Sequence, residues 1–123
     1  MTFDWSRYLN LARRLAGTAE APGDEAELRA AISRAYYAAF IKARNLLRDR
    51  DGLTIPRKDA HQYVINQFRN SSEKLRQRVG ERLLNLRYYR NQADYEDTVT
   101  RLTEKSQEAL TLARRIIAAL DGL

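Results

Sequence analysis

Apolar residues recur at helical spacing in almost every segment of the chain, and no stretch alternates apolar and polar positions as a half-buried strand would. A first helix is predicted over residues 4–19 and a second over residues 24–51, where Gly52 ends it. The second helix has two adjacent apolar lines, which predicts a central position in the fold. These lines are Leu28, Ile32, Ala35, Ala39, Ala43 and Leu46, and beside them Tyr36, Phe40 and Leu47.

The second half of the chain contains three more predicted helices. A short third helix is expected around residues 61–68, after a loop near residues 53–56. A fourth begins with Ser72 as its N-cap and continues to about Gln92. A fifth covers residues 95–121, with a heptad-like apolar seam that suits near-parallel packing.

The predicted fold is all-α, with a single domain over residues 1–123. Helices that carry one apolar stripe bury it against each other, so these elements favour a bundle of about five helices. Four of them form the core and the short third helix is added to it. The seam of the last helix starts at Tyr95 in this prediction, and neither Gly nor Pro marks the boundary before it.

The chain contains no Cys and one His among its 123 residues. These counts exclude disulfides, thiolate metal sites and zinc fingers, so neither a metal nor another cofactor is expected. No apolar run approaches the ~20 residues that cross a bilayer, and residues 1–5 lack the layout of a signal peptide. We therefore expect a cytoplasmic protein with no membrane contact.

Positive charge is concentrated in two segments. Residues 29–58 carry eight basic and two acidic side chains, and residues 69–90 carry seven and two. Arg supplies 18 of the 22 basic residues, which favours bidentate recognition of phosphate or carboxylate. A nucleic-acid partner is one interpretation, and solvated Arg-rich helix faces are the other.

One arginine interrupts the apolar face of the fourth helix. Arg90 falls on the same arc as Leu83 and Leu86, and a buried guanidinium is costly unless it is paired. It should therefore meet a carboxylate, a backbone carbonyl or a bound phosphate, or lie where the subunit surface meets a partner. The nearest candidate is Asp94, one turn later. The neighbouring side chains are of the kinds that bind and orient a phosphodiester: Arg87, Asn91, Asp94 and Tyr95.

The outward face of the second helix mixes cations with an aromatic and an aliphatic residue. Arg34, Tyr37 and Ile41 line up there, followed by Arg44 and Arg48. Such a composition is typical of protein interfaces, and it also suits the stacking of nucleobases. A third interpretation is that the third helix packs over this face.

His61, in the first turn of the third helix, also has two interpretations. An imidazole can act as a general acid or base near neutral pH. A lone His at this position of an amphipathic helix is more often a capping or core residue.

Three stretches together resemble the HEPN superfamily, specifically its small stand-alone prokaryotic members. They are residues 33–40 (SRAYYAAF), residues 61–68, and residues 83–95, which end in RNQADY. The resemblance covers about residues 29–95. It implies an up-and-down helical bundle that forms a homodimer, with the ends of both fourth helices in a shared cleft. Many such proteins are metal-independent endoribonucleases with Arg, four to six residues, then His. Several are toxins paired with a nucleotidyltransferase antitoxin.

Residue by residue, the motif arginine matches Arg90, and the polar residue that often follows it matches Asn91. The motif histidine is missing from this chain. After four intervening residues stands Tyr95, and after six stands Asp97. Tyrosine, with a pKa of about 10, is a poor base near neutral pH, so this departure bears on any acid–base chemistry.

The leading expectation is a homodimer that binds RNA or a nucleotide within a toxin–antitoxin or defence module. Two alternatives stay open: an active endoribonuclease, and a non-catalytic adaptor that binds a nucleotidyltransferase. Catalysis would involve Arg90 with Asp94, Tyr95 or His61, the last only if the third helix folds over the end of the fourth. The candidate RNA-binding or nucleotide-binding residues are Arg87, Arg90, Asn91, Arg34 and Tyr37.

Overall fold

The computed structural model describes residues 2–123, and within them it contains five α-helices and no β-strand. The predicted all-α fold is therefore confirmed. No helix in this described part of the chain is both long and apolar enough to span a bilayer. The helices are α1 (Ser6–Ala16), α2 (Glu25–Asp49), α3 (Ala60–Arg69), α4 (Lys74–Tyr95) and α5 (Leu102–Asp121).

Helix α2 lies at the centre of the bundle, as its two apolar lines predict, and it contacts all four other helices. The helices α1, α2, α4 and α5 pack around one core, and α3 lies against α4 and α2. Five alanines of α2 are completely buried, which lets neighbouring backbones approach closely. They are Ala31, Ala35, Ala38, Ala39 and Ala43.

The first two helices are separated by local signals at residues 17–24. Gly17 has a φ of 72°, a left-handed conformation that favours glycine, so α1 ends at Ala16 and not at residue 19 as predicted. Asp24 then begins α2 with a capping box: its carboxylate accepts from the Glu27 backbone N–H at 2.8 Å. The Glu27 side chain accepts from the Asp24 backbone N–H in return at 2.9 Å.

The predicted boundary between the last two helices was wrong by several residues. Tyr95 is the last residue of α4, and α5 begins only at Leu102, after Arg101 in a left-handed conformation with a φ of 55°. Tyr95 therefore does not belong to the seam of α5. The predicted N-cap of α4 was also wrong: the position is held by Glu73, whose backbone N–H donates to the Oγ of Ser71.

Helices α3 and α4 meet at a glycine. A Cβ at Gly80 would lie 2.6 Å from the backbone N of Arg69 and 2.9 Å from its Cα, so only glycine permits this approach. The contact presses α3 against α4 and helps to bring the first turn of α3 towards the inner face of α2. That turn contains His61.

Candidate functional site

Arg90 lies on the buried face of α4, as its position in the apolar arc predicts. The residue is 6% exposed, and the neighbouring Leu86 and Ala93 on the same face are buried as well. Leu75, in the first turn of α4, is 37% exposed. A charged group at this depth requires compensation from its surroundings.

Aromatic rings supply most of the surroundings of Arg90. Its Cζ lies 5.0 Å from the centre of the Tyr36 ring, 5.6 Å from Tyr37 and 5.8 Å from Tyr95. Ring faces attract a cation through their quadrupole, by about 0.5–2 kcal/mol each. The Nη1 of Arg90 also donates a long hydrogen bond of 3.5 Å to the Oη of Tyr37.

The predicted pair between Arg90 and Asp94 exists as a loose ion pair. The Oδ2 of Asp94 is 3.8 Å from the Nη1 of Arg90, which is longer than a hydrogen bond. The same Oδ2 accepts from the hydroxyl of Ser33 at 3.2 Å. Within residues 2–123, the buried Nε atoms of Arg90 and Arg87 have no hydrogen-bond partner. The protein therefore neutralises this guanidinium only in part.

His61 lies beside the same aromatic rings. Its imidazole stacks on Phe40 at 4.2 Å and on Tyr36 at 5.6 Å, and its Nδ1 is 2.6 Å from the Oη of Tyr36. It also meets the Tyr37 ring edge-on at 5.9 Å. Both His61 and Arg90 thus contact Tyr36 and Tyr37, which places the imidazole next to the arginine through two shared rings.

The surroundings of His61 favour its neutral form. Burial, reinforced by the positive charges of Arg90 and Arg87, lowers the pKa of His61 to about 4. The neutral imidazole forms a hydrogen bond through its Nδ1 with the Oη of Tyr36. Burial also raises the pKa of the Tyr36 hydroxyl, which stays protonated.

The end of α4 is held by an arginine that the sequence analysis did not single out. Arg29 of α2 donates to the carbonyl oxygens of Ala93, Glu96 and Asp97 at 3.0, 2.6 and 3.0 Å. Carbonyl groups at a helix C-terminus lack intrahelical partners, and a guanidinium can satisfy several of them at once. Arg29 therefore fixes the segment that carries Asp94.

The outward face of α2 is less open than predicted. Ile41 is only 8% exposed, and Tyr37 is half-buried under Arg90. The first turn of the third helix reaches this face, where His61 meets the Tyr37 ring. Tyr8 of α1 covers another part, with the Cζ of Arg34 lying 4.9 Å from the Tyr8 ring. Asn91 is exposed and belongs to the outer side of α4.

These contacts bring together side chains from α2, α3 and α4. We call this group the Arg90 site: Tyr36, Tyr37, His61, Arg90, Asp94 and Tyr95. It combines a partly neutralised guanidinium with aromatic rings and one carboxylate. Residues 2–123 contain no group of three or more His, Asp or Glu able to hold a metal ion.

A family model of the HEPN domain matches residues 5–123, which include all five helices. The chain belongs to the HEPN family. No curated protein and no solved structure matches it. The resemblance found from the sequence covers about residues 29–95, and the family match extends it to essentially the whole chain.

The chain lacks the histidine expected after Arg90, and the structure shows where the residues at the expected positions lie. Tyr95 occupies the first position at which the motif histidine is sought, and its ring contacts Arg90 although the residue is 74% exposed. Asp97, the last such position, lies beyond the end of α4, where its carbonyl accepts from Arg29. The imidazole that does lie beside Arg90 comes from α3.

Two residues near Arg90 were not predicted as site residues, because only a projection of α2 along its axis shows them on one face. Ser33 and Tyr36 share one face with Arg29, at spacings of four and then three residues. From the sequence, Tyr36 was predicted to lie in the core, and Ser33 was considered only as part of a family motif. Projecting α2 with Arg29 included would have indicated a polar edge directed at the end of α4.

Proposed function

We propose that this HEPN domain binds RNA and holds a backbone phosphate at Arg90. The observation that carries the proposal is the buried guanidinium whose charge is only partly neutralised by its own chain. Cation–π contacts and one ion pair at 3.8 Å offset part of the desolvation cost of an arginine. A phosphate oxygen would add the charge-assisted hydrogen bonds that are missing.

Access to Arg90 is easiest from the side of Tyr95. That ring contacts the guanidinium but is 74% exposed, so rotating it away loses little packing. Arg87, one turn earlier on α4 and half-buried, adds a second cation close to the same place. Two arginines at one end of a helix suit consecutive phosphates of a nucleic-acid backbone.

The properties of His61 favour binding without cleavage. Metal-free hydrolysis of RNA needs a general acid and a general base whose pKa values lie near the working pH. A His61 pKa of about 4 leaves almost no imidazolium at neutral pH, and its Nδ1 is engaged by Tyr36. We therefore propose an RNA-binding member in which the catalytic imidazole of the motif has been lost.

We further propose that the protein acts as a homodimer formed through the outer face of α4. Leu84, Tyr88 and Tyr95 lie on one stripe of this helix and are 38%, 62% and 74% exposed. Large apolar side chains concentrated on one helix face are typical of interaction surfaces. A second copy on this stripe would bring the two ends of α4, and with them the two Arg90 sites, to one dimer surface.

A place in a toxin–antitoxin or defence module, with a nucleotidyltransferase as partner, is part of the same proposal. It rests on family membership alone. Co-purification of the native protein with the product of a neighbouring gene, with and without nuclease treatment, tests this part separately from RNA binding.

The test of RNA binding is an anisotropy titration of labelled single-stranded RNA across a range of salt concentrations. Wild-type affinity should fall as salt rises, because phosphate contacts release counterions. Arg90→Met should weaken binding about tenfold or more and reduce the salt slope by about one. The exposed Arg114 of α5 offers a matched control, and Arg114→Met should bind as the wild type does.

Arg90→Lys provides a second variant, because it keeps the charge but loses the planar fork, and it should bind with intermediate affinity. Circular dichroism of each variant verifies folding. Equal binding by the wild type and a folded Arg90→Met would overturn the proposal. RNA fragments that depend on both Arg90 and His61, seen on a gel of the same mixtures, would replace it with ribonuclease activity.

A further inference from the structure

A second aromatic group lies at the start of the chain. The rings of Phe3, Trp5 and Tyr8 contact each other edge to face, with centres 4.8, 5.5 and 5.3 Å apart. We call them the N-terminal aromatic cluster. Phe3 is 45% exposed, and the other two rings are half-buried. The cluster therefore keeps aromatic surface open to solvent, unlike the rings of the core.

Arginines join this cluster to the Arg90 site. The Cζ of Arg34 lies 4.9 Å from the centre of the Tyr8 ring and 5.4 Å from that of Tyr37. Tyr37 in turn lies 5.6 Å from the Cζ of Arg90. At the other end, Arg7 lies 5.8 Å from the Phe3 ring.

The result is a strip in which guanidinium groups and aromatic rings alternate from α1 across α2 to the end of α4. The helix α1 has no acidic residue, and it adds Arg13 and Arg14 in its last turn. Asp4, the carboxylate nearest the cluster in sequence, accepts hydrogen bonds from the backbone N–H and the hydroxyl of Ser6. These hydrogen bonds lower the pKa of the Asp4 carboxyl, so Asp4 stays charged at the edge of the strip.

Alternating cations and rings match the chemistry of one ligand class. Single-stranded nucleic acid presents a phosphate and an unpaired base in each repeat, which bind guanidinium groups and aromatic faces respectively. A duplex hides its bases, and an acidic peptide offers no planar groups to stack. The strip therefore favours single-stranded RNA over both.

We propose that the N-terminal aromatic cluster is a base-stacking subsite for single-stranded RNA, joined through Arg34 to the phosphate site at Arg90. This inference rests on the proposed function and extends it to a second site on the other side of α2. The strand enters at Arg90, passes over Tyr37 and Arg34, and places bases against Tyr8 and Phe3. Affinity then depends on the length of the RNA.

Trp5 is the single tryptophan of the chain, so its fluorescence reports on this cluster alone. Oligouridylate of about eight nucleotides, a length within the range bound by single-strand grooves, should quench the Trp5 emission with the dissociation constant found by anisotropy. Uridine monophosphate and double-stranded RNA should leave the emission unchanged, because neither spans both sites with unpaired bases.

Two variants separate stacking from mere packing of the N-terminal segment. Phe3→Leu keeps apolar volume but removes the ring face, and it should weaken binding of the eight-nucleotide RNA roughly 5- to 100-fold. Its affinity for a dinucleotide, and its thermal midpoint, should stay as in the wild type. Leu75→Ala, at the opposite end of α4 and also exposed, is the matched control and should bind normally.

The outcomes distinguish this inference from the function on which it rests. If Arg90→Met abolishes binding but Trp5 emission and the affinity of Phe3→Leu do not change, the second subsite is disproved and the Arg90 site stands. If the wild type binds no RNA at all, both proposals fail. Quenching together with length-dependent loss in Phe3→Leu supports the subsite.

Discussion

The Oη of Tyr36 lies 2.6 Å from the Nδ1 of His61 in a hydrogen bond, and the planes of the two rings differ by only 14°. The two residues come from different helices, α2 and α3, and their shared surroundings exclude much of the solvent. Burial and the positive charges of Arg90 and Arg87 disfavour the imidazolium form of His61. A residue that could have served as an acid is thereby held neutral.

The first prediction concerns the titration of His61, whose signals are unambiguous because the chain has one histidine. Its imidazole protons should shift with an apparent pKa of about 4 in the folded protein. The cause is burial and the positive charges of Arg90 and Arg87. A pH series of NMR spectra measures this, and a midpoint close to the ordinary value of about 6.5 would contradict the arrangement.

The same shift has a consequence for stability. Between about pH 6.5 and 4 the unfolded chain binds a proton at His61 that the folded chain refuses, so the free energy of unfolding should decrease as the pH falls through this window. This contribution is fully present above the window. His61→Gln keeps an acceptor for Tyr36 but does not titrate. Urea unfolding of both proteins at several pH values should therefore give the variant the shallower slope.

Removal of the Arg29 side chain should loosen the end of α4. Arg29→Met deletes the donors to the carbonyl groups of Ala93, Glu96 and Asp97 while retaining apolar volume. Hydrogen exchange of the amides in residues 93–97 should become faster, and RNA affinity should fall because Asp94 and Tyr95 lose their fixed position.

The control for this experiment is another arginine of the same helix. Arg48 is exposed and pairs only with its neighbour Asp49, so Arg48→Met should leave both readouts unchanged. Unaltered exchange in Arg29→Met would mean that α4 ends at Tyr95 for reasons internal to that helix.

Gly80 should not tolerate a methyl group, although alanine is by about 1 kcal/mol the better helix former. In Gly80→Ala the added carbon would clash with the backbone of Arg69, which cannot move aside as a flexible side chain would. We expect a net destabilisation of about 1–3 kcal/mol in chemical denaturation.

Gly122→Ala is the matched control, since its nearest neighbours would be 3.6 Å away, an ordinary contact distance. A Gly80→Ala protein as stable as the wild type would show that α3 can withdraw from α4. In that case the position of His61 would be adjustable as well.

The proposed dimer leads to a prediction about mass. Tyr88→Glu places a charge in the centre of the apolar stripe on α4, and the protein should then sediment as a 14.3 kDa monomer, while the wild type sediments as a dimer. Asn10→Glu, an exposed change on α1, should remain dimeric. A monomeric wild type at high concentration would exclude the second copy as the occupant of this face.

Some elements of the fold could be predicted from local pattern and others could not. The helices were predicted correctly in number and order, and Arg90 was predicted to lie on the buried face of α4. The end of α4 was not, and the side chain that binds its last carbonyl groups is Arg29, which lies 64 residues before Ala93 in the chain. No residue type near Tyr95 encodes that contact.

What the sequence by itself determined is the direction in which each side chain leaves its helix, because a period of 3.6 residues is a local property of the backbone. The sequence therefore placed Arg90 on the inward face of α4. It also showed that the histidine of the family motif is absent. Only the tertiary structure decided what Arg90 meets. The packing of α3 on α4 at Gly80 brought His61 to Tyr36, and the docking of α1 brought Tyr8 to Arg34. Contacts between distant segments depend on how whole helices pack, and that depends on the sum of many side chains.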